Sequence, residues 1–144
     1  MTMSKFPDYL AKISFLIVDD MTFYHSLIKQ MLVTLGHTGD VYTAASVKNA
    51  IHTVSEVYQS GKTVDFIVSD YYLNDSNGIH FVKKIRSNER LANTPFVIFT
   101  TEDNSKIIPE ALEAGIDNFF YKPIDHEIFL ERVVFSWNKR HQAK

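Results

Sequence analysis

The sequence predicts an α/β fold, a five-stranded parallel sheet doubly wound by helices in a (βα)5 pattern. Three observations point to it. Five short apolar runs of strand length alternate with five stretches of helical period. Parallel neighbours need right-handed helical crossovers, so this alternation covers both faces of one sheet. A chain of 144 residues is one domain of ordinary size, able to build a core without a staple.

Residues 1–12 form a short extension in which Phe6, Tyr9 and Leu10 are expected to dock on the domain as a helical turn. The run Ile13-Ser14-Phe15-Leu16-Ile17-Val18 is the first strand and ends in Asp19-Asp20. Phe23, Leu27, Met31 and Leu35 recur every four residues and mark the first helix, with Gly36 as its stop. Val41-Tyr42-Thr43-Ala44 is the second strand. The second helix starts near Ser46, carries Val47, Ala50, Ile51, Val54, Val57 and Tyr58, and closes at Gly61.

The third strand runs over 64–70 and delivers Asp70 to a turn-rich connection, Asn74-Asp75-Ser76-Asn77-Gly78. Ile79, Val82 and Ile85 then trace a helix over about 77–87. Pro95 opens the fourth strand, which ends in Thr100, a position where proline is tolerated. Ile108, Ala111 and Leu112 line the fourth helix, which stops at Gly115. Asn118-Phe119-Phe120-Tyr121 is the fifth strand, and Asp125 caps a last helix carrying Phe129, Val133 and Trp137.

Composition excludes several classes. Lys plus Arg number 15 against 17 for Asp plus Glu, so no whole-domain field attracts nucleic acid or an anionic membrane. With no Cys there is no disulfide and no thiolate ligand or nucleophile. No stretch reaches the length of a membrane span, and the expectation is a soluble, cytoplasmic protein. The six His lie on different elements without a ligand pair at metal spacing. Lys139, Arg140 and Lys144 suit the end of the last helix better than a nucleic-acid patch.

All five strands end on one edge, and ligands bind outside the carboxyl ends of such strands. That edge receives Asp19 and Asp20, Asp70, Thr100 and Lys122. Each has a plainer reading: Asp20 as a helix cap, Asp70 as a turn residue, Thr100 as a β-branched strand residue, Lys122 as a solvated charge. Together, three carboxylates on one edge repel one another and ask for a cation. Carboxylate oxygens with no His or Cys beside them suit Mg²⁺.

These residues resemble the receiver domain of two-component response regulators, above all the single-domain, chemotaxis-type regulators. The resemblance rests on the Asp19-Asp20 pair, Asp70 with Gly78 eight residues on, Thr100, and Lys122-Pro123, and it covers 13–141. It implies a flavodoxin-like strand order 2-1-3-4-5 and a phosphoryl group accepted on Asp70. Asp20, Asp70 and the backbone carbonyl of Tyr72 would hold Mg²⁺, with Asp19 acting through a water. Lys122 and Thr100 would contact the phosphoryl group, and a cis peptide would join Lys122 to Pro123. Phe119, three residues before Lys122, takes the place of the switch aromatic. Tyr72 and Glu102 take the places that tune dephosphorylation.

The implied partners are a sensor histidine kinase or phosphotransfer protein as donor, and a protein target on the face made by the fourth helix, fifth strand and fifth helix. No nucleic acid or membrane partner is implied, and the expected state is a monomer or weak dimer. Two departures stand out. Asn74 replaces a common proline, which predicts a more adaptable loop, and Thr101 replaces a small residue beside Thr100. Two rival classes remain open: a small phosphatase or nucleotide-binding enzyme using the same edge, and a receiver-like interaction module that takes no phosphoryl group. The first lacks a glycine-rich phosphate loop, and Tyr71 and Tyr72 stand where it needs a second carboxylate.

Overall fold

The computed structural model describes residues 5–142. Alternation of side chains across the strands decides which apolar residue goes to which face. The strands are β1 (Phe15–Val18), β2 (Val41–Ala44), β3 (Phe66–Asp70), β4 (Phe96–Thr100) and β5 (Asn118–Tyr121). All pair in parallel, in the order β2-β1-β3-β4-β5. The helices are α1 (Thr22–Thr34), α2 (Val47–Gln59), α3 (Gly78–Ser87), α4 (Ile108–Ala114) and α5 (His126–His141).

Leu16, Val18, Ile67, Phe96 and Ile98 point to one face and pack with α2, α3 and α4. Phe15, Ile17, Phe66, Val68, Val97 and Phe99 point to the other and pack with α1 and α5. Every residue of β1, β3 and β4 is therefore buried. This is why these runs read as continuously apolar.

Side-chain caps fix where three helices start. Ser46 Oγ accepts from the Asn49 amide at 3.0 Å, Asn77 Oδ1 from His80 at 2.9 Å, and Asp125 Oδ2 from Ile128 at 3.2 Å. At α1 the cap residue is Met21, without a side-chain bond, so Asp20 does not play that part.

Two expectations shift. The core face of α1 is Ile28, Met31, Leu32 and Leu35, whereas Phe23 is 61% exposed. A four-residue spacing advances about 40° per step around a helix, so the Phe23-Leu27-Met31-Leu35 series winds off the core. Leu112 of α4 is likewise exposed, and Ile108 and Ala111 carry that contact. The segment after β4 is a 3₁₀ turn, Glu102–Ile107, leading into α4.

The connection after β3 is a small antiparallel hairpin, Tyr72–Leu73 with Ser76–Asn77. The Asp75 carboxylate accepts from the Val47 and Lys48 amides, both at 3.0 Å, which pins the hairpin to the start of α2. That tether restrains the loop that Asn74 was expected to loosen. The N-terminal segment docks through a 3₁₀ turn, Asp8–Leu10, with Phe6 and Leu10 buried on the α1/α5 side. Tyr9 stays exposed, and its hydroxyl donates to Asn138 Oδ1 at 3.2 Å.

Candidate functional site

The carboxyl edge of the sheet brings the sequence-predicted residues together. Asp19 follows β1, and its amide continues the sheet by donating to the Ala44 carbonyl at 3.0 Å. Its side chain is fully buried. Oδ1 accepts from the Met21 amide at 2.7 Å, while Oδ2 has no hydrogen-bond partner. Asp70 closes β3 and is 7% exposed; its Oδ1 accepts from the Tyr71 amide at 2.7 Å. Asp19, Asp20 and Asp70 each offer an oxygen within 4.8 Å of the others.

Lys122 follows β5, where its amide donates to the Thr100 carbonyl at 2.8 Å. Its Nζ stands 3.2 Å from Asp70 Oδ2 and 3.6 Å from Asp19 Oδ2. The ammonium also lies 4.0 Å from the centroid of the Tyr24 ring and 5.0 Å from that of Phe99. The peptide between Lys122 and Pro123 is cis. Thr100, the last residue of β4, is buried, and its Oγ1 accepts from Asn104 Nδ2 at 3.2 Å.

Gly78 shows why the hairpin can return so closely. A Cβ there would lie 2.8 Å from Ile98 Cδ1 and 3.3 Å from the Asp70 carbonyl oxygen, so only glycine fits without displacing Ile98.

The carboxylates are strained electrostatically. Burial, with help from the charges of Asp70 and Asp20, raises the Asp19 pKa to about 6, against the pull of the Met21 amide and Lys122. Burial also raises that of Asp70, opposed by Lys122 and the Tyr71 amide. Three carboxylates thus face one ammonium, and one buried oxygen lacks a donor. An all-oxygen donor set with an excess of negative charge fits a hard divalent cation.

Other sequence-predicted residues sit further out. Phe119 is half-buried, with its carbonyl accepting from Arg132 Nε at 2.9 Å and its ring 6.0 Å beneath the guanidinium. Tyr72 is 58% exposed, and its hydroxyl reaches Asn104 rather than Glu102. Thr101 is exposed, with its hydroxyl bonded to Asp103. His37 is buried rather than peripheral: its Nε2 lies 2.6 Å from the Ile13 carbonyl and its ring is edge-on to Phe15. Sequence reasoning missed Tyr24 and Asn104. Tyr24 was findable as a residue one turn beyond the acidic pair; Asn104 had no signal, because no apolar pattern marks the 3₁₀ turn that places it.

Comparison with known proteins decides the family. The model of the response regulator receiver domain matches residues 15–134. The chain belongs to the response regulator receiver domain family. Receiver domains are regulatory phospho-acceptors that bind Mg²⁺ at an acidic pocket, and this chain has a cluster of three acidic side chains, Asp19, Asp20 and Asp70. The receiver domain is 31% identical to the chemotaxis protein CheY of Pseudomonas aeruginosa over 118 residues, 82% of this chain and 90% of that protein. It is 28% identical to the CheY homolog of Campylobacter jejuni over 120 residues, 82% of this chain and 87% of that one.

The solved structure of CheY4 from Vibrio cholerae has a TM-score of 0.73 at 25% identity, covering 87% of this chain and 98% of that one. A putative response regulator from Chloroflexus aurantiacus has a TM-score of 0.77 at 21% identity, over 88% and 98% of the two chains, a likeness of fold alone. The receiver domain is thus of CheY type. No helix among its described residues is long and apolar enough to cross a membrane.

Proposed function

We propose that this receiver domain is a phosphorelay switch whose phosphoacceptor is Asp70. The observation that carries the reading is the buried Asp70 carboxylate, held 3.2 Å from Lys122 beside the orphaned oxygen of Asp19. An Asp70 oxygen attacks the donor phosphorus, the bond from phosphorus to the donor breaks, and the leaving group departs with that electron pair. Hydrolysis removes the phosphoryl group: water attacks phosphorus and gives up a proton to solvent, the bond to Asp70 breaks with its electron pair returning to the carboxylate, and inorganic phosphate leaves. Mg²⁺ held by Asp20, Asp70 and the Tyr72 carbonyl, with Asp19 acting through a water, would supply neutralisation of the phosphoryl oxygens.

The remaining work is positioning and charge. Lys122 keeps an ammonium at the Asp70 oxygen and follows the charge onto the phosphoryl group. Thr100 donates its hydroxyl hydrogen to a phosphoryl oxygen. Tyr72 and Glu102 set how freely water approaches. Phosphate comes from a sensor histidine kinase or a phosphotransfer protein, and the protein works in the cytoplasm.

Output runs from Thr100 to Phe119 and on to the face of α4, β5 and α5, where a protein target binds. Two features support that face. Arg132 bridges α5 to the Phe119 carbonyl, and Leu112, Ile128 and Phe135 expose apolar surface on the two helices.

The test is intact-mass analysis after incubation with acetyl phosphate and Mg²⁺. One phosphoryl addition is expected, and it is absent from Asp70→Ala. Normal labelling of that variant would remove Asp70 as the site; no labelling of the parent would leave an interaction module.

A further inference from the structure

Asn104 has no assigned part in this chemistry, yet its side chain joins two residues that do. It stands at a kink within the 3₁₀ turn after β4, with φ −97° and ψ 15°. Its amide donates to the Thr101 carbonyl at 3.0 Å, which fixes the turn. From there Nδ2 donates to Thr100 Oγ1 at 3.2 Å, and Oδ1 accepts from the Tyr72 hydroxyl at 3.2 Å. One carboxamide therefore ties the hairpin after β3 to the end of β4.

The path of these bonds matters. Asp70 pairs with Phe99 across β3 and β4. Thr100 lies one residue beyond that pair on one strand, and Tyr72 two residues beyond it on the other chain segment. The Tyr72–Asn104–Thr100 chain links the hairpin that follows Asp70 to the end of β4, at the sheet edge that also carries Asp70. Tyr72 is mostly exposed, and its ring meets only the edge of Tyr71, at 4.8 Å between centroids, among the ring contacts of the described residues. Among the described residues the bond to Asn104 is the one hydrogen bond that fixes its hydroxyl end, and an exposed tyrosine gains rotamer freedom when released.

We propose that Asn104 is a positioning residue that latches Tyr72 across the mouth of the Asp70 site and so lengthens the life of the acyl phosphate. The inference rests on Asp70 being the phosphoacceptor. Water must approach phosphorus in line with the bond to Asp70, from the open side of the site, and the latched ring narrows that approach. Because the carboxamide donates into a lone pair of Thr100, the Thr100 hydroxyl hydrogen stays available for a phosphoryl oxygen. The latch and phosphoryl binding are therefore compatible, and the latch acts on lifetime.

The test compares the parent with Asn104→Ala, Tyr72→Phe and the double variant. Each is labelled with acetyl phosphate and Mg²⁺, the donor is removed, and loss of the phosphorylated mass is followed. Tyr72→Phe keeps the ring and deletes only its hydroxyl. Each single variant should lose phosphate faster by about threefold to tenfold, and the double variant no faster than Asn104→Ala. Mg²⁺ affinity by calorimetry should match the parent in Asn104→Ala. A general loosening of the turn would not make the two substitutions redundant.

Parental lifetimes in both single variants, or effects that multiply in the double, would overturn the latch while leaving the phosphoacceptor in place. If Asn104→Ala fails to fold, Tyr72→Phe alone decides, since a parental lifetime there removes the latch. A parent that takes no label removes the phosphoacceptor reading, and the latch that rests on it.

Discussion

The Lys122 ammonium rests 4.0 Å from the centroid of the Tyr24 ring, so a residue of α1 holds the cation that β5 brings to Asp70. Lys122 is only 12% exposed at its side chain and has carboxylates on one side and aromatic rings on the other. A lysine stem has many rotamers, and the ring restricts them while attracting the charge. Tyr24→Leu should slow phosphoryl addition from acetyl phosphate by about fivefold, the equivalent of about 1 kcal/mol. Tyr24→Phe keeps the ring face and should label at nearly the parental rate. Equal rates in both variants would show that the ring does not position Lys122.

The orphaned Asp19 oxygen makes a second expectation. A buried carboxylate with one oxygen lacking a hydrogen bond destabilises the metal-free fold, and a divalent cation relieves it. Added Mg²⁺ should raise the thermal midpoint, with about 2.7 kcal/mol of stabilisation at a hundredfold excess over the dissociation constant. Asn at position 19 keeps the size and removes the charge. Asp19→Asn should melt higher than the parent without metal and gain less from Mg²⁺. A parent whose midpoint ignores Mg²⁺ would contradict the assignment of this cluster to a cation.

Most of the sheet was legible because its strands are buried on both faces, which leaves continuous apolar runs such as Phe15-Leu16-Ile17-Val18. The site was legible for a related reason: parallel topology puts all strand ends on one edge, so Asp19, Asp20, Asp70, Thr100 and Lys122 meet without any local spacing between them. What stayed hidden depends on tertiary contact. Phe23 and Leu27 fit the helical period but sit off the core, since a helix's rotation is set by what it packs on. Asn104 matters only through a turn whose conformation no apolar pattern announces. Asp117 is a third case: it is buried between Arg86 at 3.1 Å and Arg140 at 2.6 Å, and those partners lie 31 and 23 residues away in sequence.

His37 gives the fold a pH dependence of definite sign. Its ring is buried against Phe6 and Phe15. Burial lowers its pKa below 6.5, opposed by the bond to the Ile13 carbonyl and by Asp40. Below pH 6.5 the unfolded chain therefore binds more protons than the folded one, and stability falls as pH drops. Above that value the contribution is complete and flat. Denaturant midpoints should decline on acidification through this window, and the decline should shrink in His37→Gln. An unchanged slope in that variant would assign the acid sensitivity elsewhere.

The last expectation concerns transmission from Asp70 to the α4, β5 and α5 face. Thr100 and Tyr121 are paired across β4 and β5, and Phe119 lies two residues from Tyr121 with its ring 5.5 Å from it. On the proposed reading, a shift of Thr100 toward a phosphoryl group would open room toward Phe119. Its ring has no hydroxyl to pin an inward position, and besides packing it has only the Arg132 guanidinium 6.0 Å from its centroid, so any turn of the ring should be set by packing. A beryllofluoride complex, mimicking the phosphoryl group, should shift amide resonances over residues 106–114 and 119–121 as well as around Asp19 and Asp70. Those shifts should fall short of a complete change of state, because a packing switch separates its states by little free energy and leaves both populated. Shifts confined to the Asp19 and Asp70 loops would mean that the site and this face are not coupled.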